Sequence, residues 1–320
     1  MKDLLHQLRL GEVSLDDFRE KFYPEYRKAN PRKITRDAIY YSYAVSIHDH
    51  INEHELKRLR HSIISIRKFN HDIEIYLFCN RPEIIPVNFH HDFNVNVVKS
   101  YPYDGRMLNA WSTHRWYNLQ HFNMQDINLL YVDSDTIFYQ DPKYLFETYT
   151  SHDIYGKEER GFRHCPITGA GGDIRFSLDL VDACIQAEGG KIPVHKFCIG
   201  VLLFNNNIHK KIDDNLKLFT SYMERLKDQK MLNPIPNPRI LDQYAAWVLF
   251  SRLKASNALF GVQDVTHGWV EIKHVDHFNP VLLHYTTKDE QRFVKRNPEY
   301  GSLKRDTEGI EEEIDPNSTV

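Results

Sequence analysis

The chain has 320 residues, of which 41% are hydrophobic, 12% aromatic and 27% charged, with a formal net charge of -3. That composition is globular, and the length suffices for one large domain or one domain with additions. The near-neutral balance gives no global field for nucleic acid or anionic membrane, and basic residues form no long blocks, so no nucleic-acid partner is expected.

Residues 1–36 are polar and predict a helical N-terminal extension. Ser14 followed by Asp17 reads as a helix start, and Leu4, Leu5 and Leu8 form one apolar stripe. The extension packs on the main domain or serves as an oligomer or membrane-surface contact. Acids interrupt "MKDLLHQLRLGEVSLDDF" where a signal peptide needs an apolar core. No apolar run approaches the roughly 18 to 20 residues of a transmembrane helix. The expected location is therefore cytoplasmic, with peripheral contact at a membrane surface as a variant. Cys79, Cys165, Cys184 and Cys198 form no CxxC pair and read as reduced thiols.

The main domain is expected over residues 37–303. "AIYYSYAVSI" (38–47) predicts a buried strand. Leu56, Leu59, Ile63 and Ile66 then step by 3, 4 and 3, which is one face of a helix. Strands follow at 73–80 and 93–100, a helix at about 106–120, and a further strand within "NLLYVDSDTIFYQDP" (128–142). This order predicts an α/β fold with a mixed, mostly parallel central sheet. Farther on, 161–176 is Gly-rich and loop-like. "FCIGVLLFNNN" (197–207) is a strand, 208–229 predicts one long helix, another helix starts near Leu241, and "PVLLHYTT" (280–287) is a last strand. Residues 304–320 are acidic and read as a disordered tail.

The apolar run ending at Val132 is driven into two acids, Asp133 and Asp135. In an open α/β sheet, ligands bind outside the carboxyl ends of the strands. In an extended segment, residues i and i+2 point to one side, so these two charges repel unless a cation sits between or beside them. Oxygen ligands on a short segment suit Mg2+ or Mn2+, with open positions for phosphate oxygens. The bland alternative has both acids capping a turn, with Ser134 and Thr136 bonded to backbone.

The strand, the Asp-x-Asp and the second short strand resemble the metal-binding segment of GT-A glycosyltransferases, and of glycosyltransferase family 8 in particular, the glycogenin and lipopolysaccharide galactosyltransferase group. "GVLLFN" (200–205), "LDQYAAW" (241–247) and "LLHYTT" (282–287) resemble three further segments of that family, in the same order. The resemblance covers about residues 38–290. It departs after His284, where the family continues through Gly to Lys-Pro-Trp and this chain reads "HYTTKDEQRF" with Lys288 nearer.

The resemblance implies a GT-A (Rossmann-like) domain that moves a sugar from a nucleotide-sugar to a hydroxyl, with a UDP-sugar as donor and a slight lean to retention. Asp133, Asp135 and His284 would hold Mn2+ or Mg2+. Ser42 and Tyr43 would lie by the base and ribose, with Ser134, Arg115 and Lys288 among the residues meeting the donor. Asp242 and Gln243 would lie nearest the sugar, and Asp173 is a candidate base. A glycan or lipid-linked glycan would be the acceptor. Two alternatives stand beside this. A phosphatase of the haloacid dehalogenase type also places Asp-x-Asp after an apolar strand. It wants Thr four residues after the first Asp, where this chain has Ile137, and its motif sits on the first strand. The other alternative is a non-catalytic GT-A module for binding or assembly.

Overall fold

The computed structural model describes residues 36–43, 53–100, 110–158, 197–228, 241–267 and 280–284, with the single positions 186 and 195. The chain divides into a unit Met1–Arg36 and a unit Asp37–Val320, and apart from Arg36 the described residues belong to the second. The expected helix before residue 36, the Gly-rich segment with Asp173, the position of Lys288 and the acidic tail lie outside the described residues.

Ten strands are described: β1 (Arg36–Tyr43), β2 (Glu74–Cys79), β3 (Val95–Lys99), β4 (Ile127–Val132), β5 (Thr136–Phe138), β6 (Ile154–Glu158), β7 (Phe197–Phe204), β8 (Asn257–Leu259), β9 (Val265–His267) and β10 (Leu282–His284). The helices are α1 (Glu53–Phe69), α2 (Asn88–His91), α3 (Ala110–Tyr117), α4 (Lys143–Thr148), α5 (Ile208–Asp213), α6 (Leu216–Asp228) and α7 (Leu241–Arg252). Seven strands form one sheet in the order β3-β2-β1-β4-β7-β6-β8, and three form a second, β5-β10-β9.

The large sheet is mixed. β1 pairs β2, and β2 pairs β3, in parallel. β7 runs antiparallel to both β4 and β6, while β8 is parallel to β6. At the starts of β4 and β1, the Asn128 amide donates to Asp37 at 3.0 Å. Farther along the same two strands, the Tyr131 and Tyr40 rings meet at 5.0 Å between centroids. The two strands therefore run in step and end together. The chain goes outward from β1 through β2 to β3 and returns to the other side of β1 as β4. That is a topological switch point, and its crevice lies at the carboxyl ends of β1 and β4.

Alternation along the strands sorts the apolar side chains into two layers. Tyr40, Phe78, Leu129 and Tyr131 face a cluster that includes Trp116, Phe219 and the buried helix α7. Tyr41, Leu77, Leu130 and Val132 face the opposite cluster, with Leu59, Ile63 and Ile66 of α1 and Val265 and Leu282 of the small sheet. The α1 face is the one its sequence spacing predicts.

Two expected elements differ. The helix expected over 208–229 is two helices, because the Asn215 side chain donates to the Lys211 carbonyl at 2.8 Å. A side chain that takes the i-4 carbonyl competes with the backbone for it, and the Asn215 carbonyl then starts the next helix. The helix expected to about residue 120 ends as α3 at Tyr117 and continues as a 3-10 turn, Asn118–Phe122.

His209 seals α5 against that turn. It is fully buried and bonds the Phe122 carbonyl through Nε2 at 3.1 Å, while its Nδ1 meets no hydrogen-bond partner among the described residues. Burial pushes its pKa down to about 4. The unfolded chain therefore takes up a proton, near pH 6.5, that the folded chain refuses until about pH 4. Stability is full above pH 6.5 and falls by about 3 kcal/mol as the pH drops towards 4. Urea unfolding of the parent and of His209→Gln at pH 7.5 and 4.5 should show a smaller loss in the variant.

Candidate active site

Val132 is the last residue of β4, and Asp133 follows it at the crevice. The Asp133 N–H donates to the Gly200 carbonyl at 2.8 Å, which continues the β4–β7 ladder by one step. The chain then turns. Thr136 Oγ1 donates to the Asp133 carbonyl at 2.9 Å and meets Ser62 of α1 at 2.8 Å. Ser65 takes the Phe138 N–H at 2.9 Å. Helix α1 thus starts β5 in the second sheet. There β10 pairs β5 antiparallel and sets His284 opposite Thr136. A histidine some 150 positions from the acids in the sequence is delivered beside them by this pairing.

One ligand atom from each of Asp133, Asp135 and His284 lies within 4.8 Å of the others. His284 Nε2 is 3.2 Å from Asp135 Oδ1 and 4.0 Å from Asp133 Oδ2. Asp133 Oδ1 is already used: Tyr131 donates its hydroxyl to it, and Arg115 reaches it at 3.3 Å. Its Oδ2 is the oxygen turned towards His284. Gly200 makes this approach possible, since a Cβ there would stand 2.6 Å from His284 Cε1 and 2.7 Å from Asp133 Oδ2. Two carboxylates and an imidazole around a cradle that only glycine leaves open form a donor set that fits a divalent cation such as Mn2+.

The charges are strongly coupled. Burial raises the Asp133 pKa and Asp135 adds to it, against the pull of Arg115. Burial also acts to raise Asp135, but His284 and Arg58 outweigh it and hold that carboxyl below its usual range. Burial works against a proton on His284, yet Asp135 prevails and the imidazole pKa is pushed up to about 10.

Arg115 binds the site together from inside. It touches the Ile199 carbonyl at 3.1 Å and Asp242 at 3.6 Å, and its guanidinium lies over the Tyr131 ring at 4.9 Å. Asp242 and Gln243 open α7 and are almost fully buried. Burial pushes the Asp242 carboxyl up to about 7, with Arg115 opposing. Gln243 accepts the Ile199 N–H at 3.3 Å through Oε1, while its Nε2 meets no hydrogen-bond partner among the described residues. Ser42 takes the Asn118 amide at 3.1 Å, Tyr43 is buried in the second core cluster, and Ser134 donates to Glu55 of α1 at 2.9 Å. Asp173 and Lys288 are outside the described residues. Sequence reading missed Gly200, Tyr131 and Glu55. Only the glycine carried a signal, an isolated Gly inside a strand pattern.

No protein-family model matches the chain, and no curated protein matches it. Solved structures similar to it include the galactosyltransferase LgtC in complex with donor and acceptor sugar analogues, at 15% identity over 81% of this chain and 94% of that one, with a TM-score of 0.49. The glycosyltransferase GlyE of Streptococcus pneumoniae TIGR4 is similar at 16% identity over 79% of this chain and 56% of that one, TM-score 0.46. Mouse xyloside xylosyltransferase 1 is similar at 11% identity over 79% and 99%, TM-score 0.47. At these values the likeness by itself assigns no activity to this chain. Among the described residues, no helix is long and apolar enough to cross a membrane.

Two outcomes follow from the geometry. Gly200→Ala sets a Cβ 2.6 Å from His284 Cε1 and 2.7 Å from Asp133 Oδ2 and so forces the two side chains apart; it should lose Mn2+ affinity by about tenfold or more, and calorimetric titration beside circular dichroism checks this. A cation must also displace the His284 proton. Affinity should therefore rise about tenfold per pH unit between about pH 7 and 9. Titrations in buffers of different ionisation enthalpy should register about one proton released per cation, and the absence of release would remove His284 from the ligand set.

Proposed function

We propose that this chain is a metal-dependent GT-A glycosyltransferase that moves a sugar from a nucleotide-sugar, with UDP as the nucleotide, to a hydroxyl of a glycan or lipid-linked glycan. One observation carries the reading: Asp133, Asp135 and His284 converge from two sheets at the switch-point crevice. Their order and strand context are those that resemble glycosyltransferase family 8.

In this reading Asp133, Asp135 and His284 hold Mn2+ or Mg2+. The bound cation supplies a Lewis acid for the departing diphosphate. Ser42 and Tyr43 end β1 beside the crevice and flank the nucleoside. Asp242 and Gln243 face the sugar, where Gln243 Nε2 offers a donor and Asp242 an acceptor to its hydroxyls. A carboxyl pushed up to about 7 is also poised to exchange a proton near neutral pH. Arg115 keeps Asp242 and Asp133 in fixed relation, so the metal side and the sugar side move together. The resemblance favours retention of anomeric configuration.

The phosphatase alternative wants Asp133 as nucleophile. Here Tyr131 and Arg115 tie one Asp133 oxygen, and the acids follow the fourth of the described strands.

The test is a thermal-shift screen of UDP, GDP, CMP and TDP with and without Mn2+, on the parent and Asp135→Ala. A nucleotide at about 100 times its dissociation constant adds roughly 2.7 kcal/mol, which is several degrees in a domain of this size. The expected result is a Mn2+-dependent shift with UDP that the variant loses. No shift with any nucleotide would overturn the proposal.

A further inference from the structure

Three buried hydroxyls run from β1 to the first acid of the site. Tyr41 Oη lies 2.7 Å from Ser62 Oγ, Ser62 Oγ lies 2.8 Å from Thr136 Oγ1, and Thr136 Oγ1 donates to the Asp133 carbonyl at 2.9 Å. None of the three residues is more than 1% exposed, so bulk water does not compete for these bonds. Each hydroxyl has one proton to give. Thr136 gives its proton to the Asp133 carbonyl, so its bond to Ser62 must use the Ser62 proton. The bond between Ser62 and Tyr41 must then use the Tyr41 proton. The series therefore has one direction, from the Tyr41 phenol through Ser62 and Thr136 to the Asp133 carbonyl. Burial pushes the Tyr41 pKa up, which keeps the proton on the head of the series. Hydrogen bonds in such a one-way relay polarise one another and strengthen together.

The relay ends where the trio is assembled. Asp133 is tied at two backbone points, its N–H to the Gly200 carbonyl and its own carbonyl to Thr136. Because each peptide is rigid and planar, the orientation of the Asp133–Ser134 peptide sets the direction in which the chain proceeds to Asp135. Thr136 also stands opposite His284 in the β5–β10 pairing. It is thus bonded to the first acid, adjacent in the chain to the second, and paired with the imidazole. The relay anchors that position in β1 and α1 as well as in its own short strand. Apolar side chains of the same shape would fill this interior with little change in stability, since exchanging both partners of a buried hydrogen bond for apolar isosteres is close to neutral. They would supply no proton to the Asp133 carbonyl.

We propose that Thr136, Ser62 and Tyr41 are positioning residues of the metal site. The relay fixes the Asp133–Ser134 peptide, and through it the placement of the two acids against His284. The inference rests on the proposed function and names the residues that hold its cation ligands in place.

The experiment titrates Mn2+ by calorimetry into the parent, Thr136→Val, Thr136→Ser, Tyr41→Phe and the double variant Tyr41→Phe/Thr136→Val. Urea unfolding of each metal-free protein separates lost affinity from lost structure. Thr136→Val keeps the side-chain shape and removes the proton, so it should lower Mn2+ affinity by about tenfold or more, whereas Thr136→Ser should stay within about threefold of the parent. Tyr41→Phe, three hydrogen bonds away from the acid, should lower affinity by about threefold through a weakened relay. In the double variant the Tyr41 change should remove no further affinity, because its effect reaches the cation only through Thr136. Unchanged affinity in Thr136→Val overturns the inference, as do losses that simply add in the double variant. Thr136→Ser binding as weakly as Thr136→Val also overturns it, since the hydroxyl would then not be the cause. Where Thr136→Val does not fold, Tyr41→Phe decides alone, and parent-like Mn2+ affinity in it overturns the inference. A parent that binds no Mn2+ overturns the metal site of the proposed function, and this inference with it.

Discussion

The repulsion between Asp133 and Asp135 is the constraint around which this end of the molecule is built. Two carboxylates two residues apart, both largely withdrawn from water, disfavour each other's charge. The structure answers on two sides. Arg115 and the Tyr131 hydroxyl bind one Asp133 oxygen, and His284 stands against Asp135. Each answer is itself buried and needs partners. Arg115 is shared with Asp242 and the Ile199 carbonyl, so the cost of burying one charge is distributed over a network that reaches from β4 to α7.

Backbone geometry makes room for that network. The bulge at Gly200 lets β7 stay hydrogen-bonded to β4 while it turns its next side-chain position towards His284. A side chain there would occupy the space in which Asp133 Oδ2 and His284 approach one another. Bulges recur next to active sites because they re-aim side chains without ending a strand.

Much of this was legible in the sequence, for reasons that can be stated. The Leu129–Val132 run of β4 is apolar without interruption because it is buried on both faces, and the α1 stripe is periodic because only one face is. An abrupt pair of acids after such a strand is informative because apolar strands do not ordinarily end so. His284 was found through resemblance, since its own surroundings, an apolar strand, fit a core histidine equally well. What stayed hidden depends on contacts between distant segments. "IYGKE" is too short and mixed to announce β6. Tyr131 looks like any strand aromatic until its hydroxyl is seen on Asp133. The break at Asn215 needs one side chain to select a backbone carbonyl, and periodicity is blind to that choice.

The trio also joins the two sheets. Asp133 continues β4 of the large sheet, whereas His284 belongs to β10 of the small one, and β5 links them through the two residues after Asp133. A cation held by all three would tie β10 to β4 directly, and its binding energy would favour the arrangement in which the sheets are docked. Helix α1 serves the same junction from below through Ser62, Ser65 and Glu55. The site is thus a structural joint as well as a chemical one.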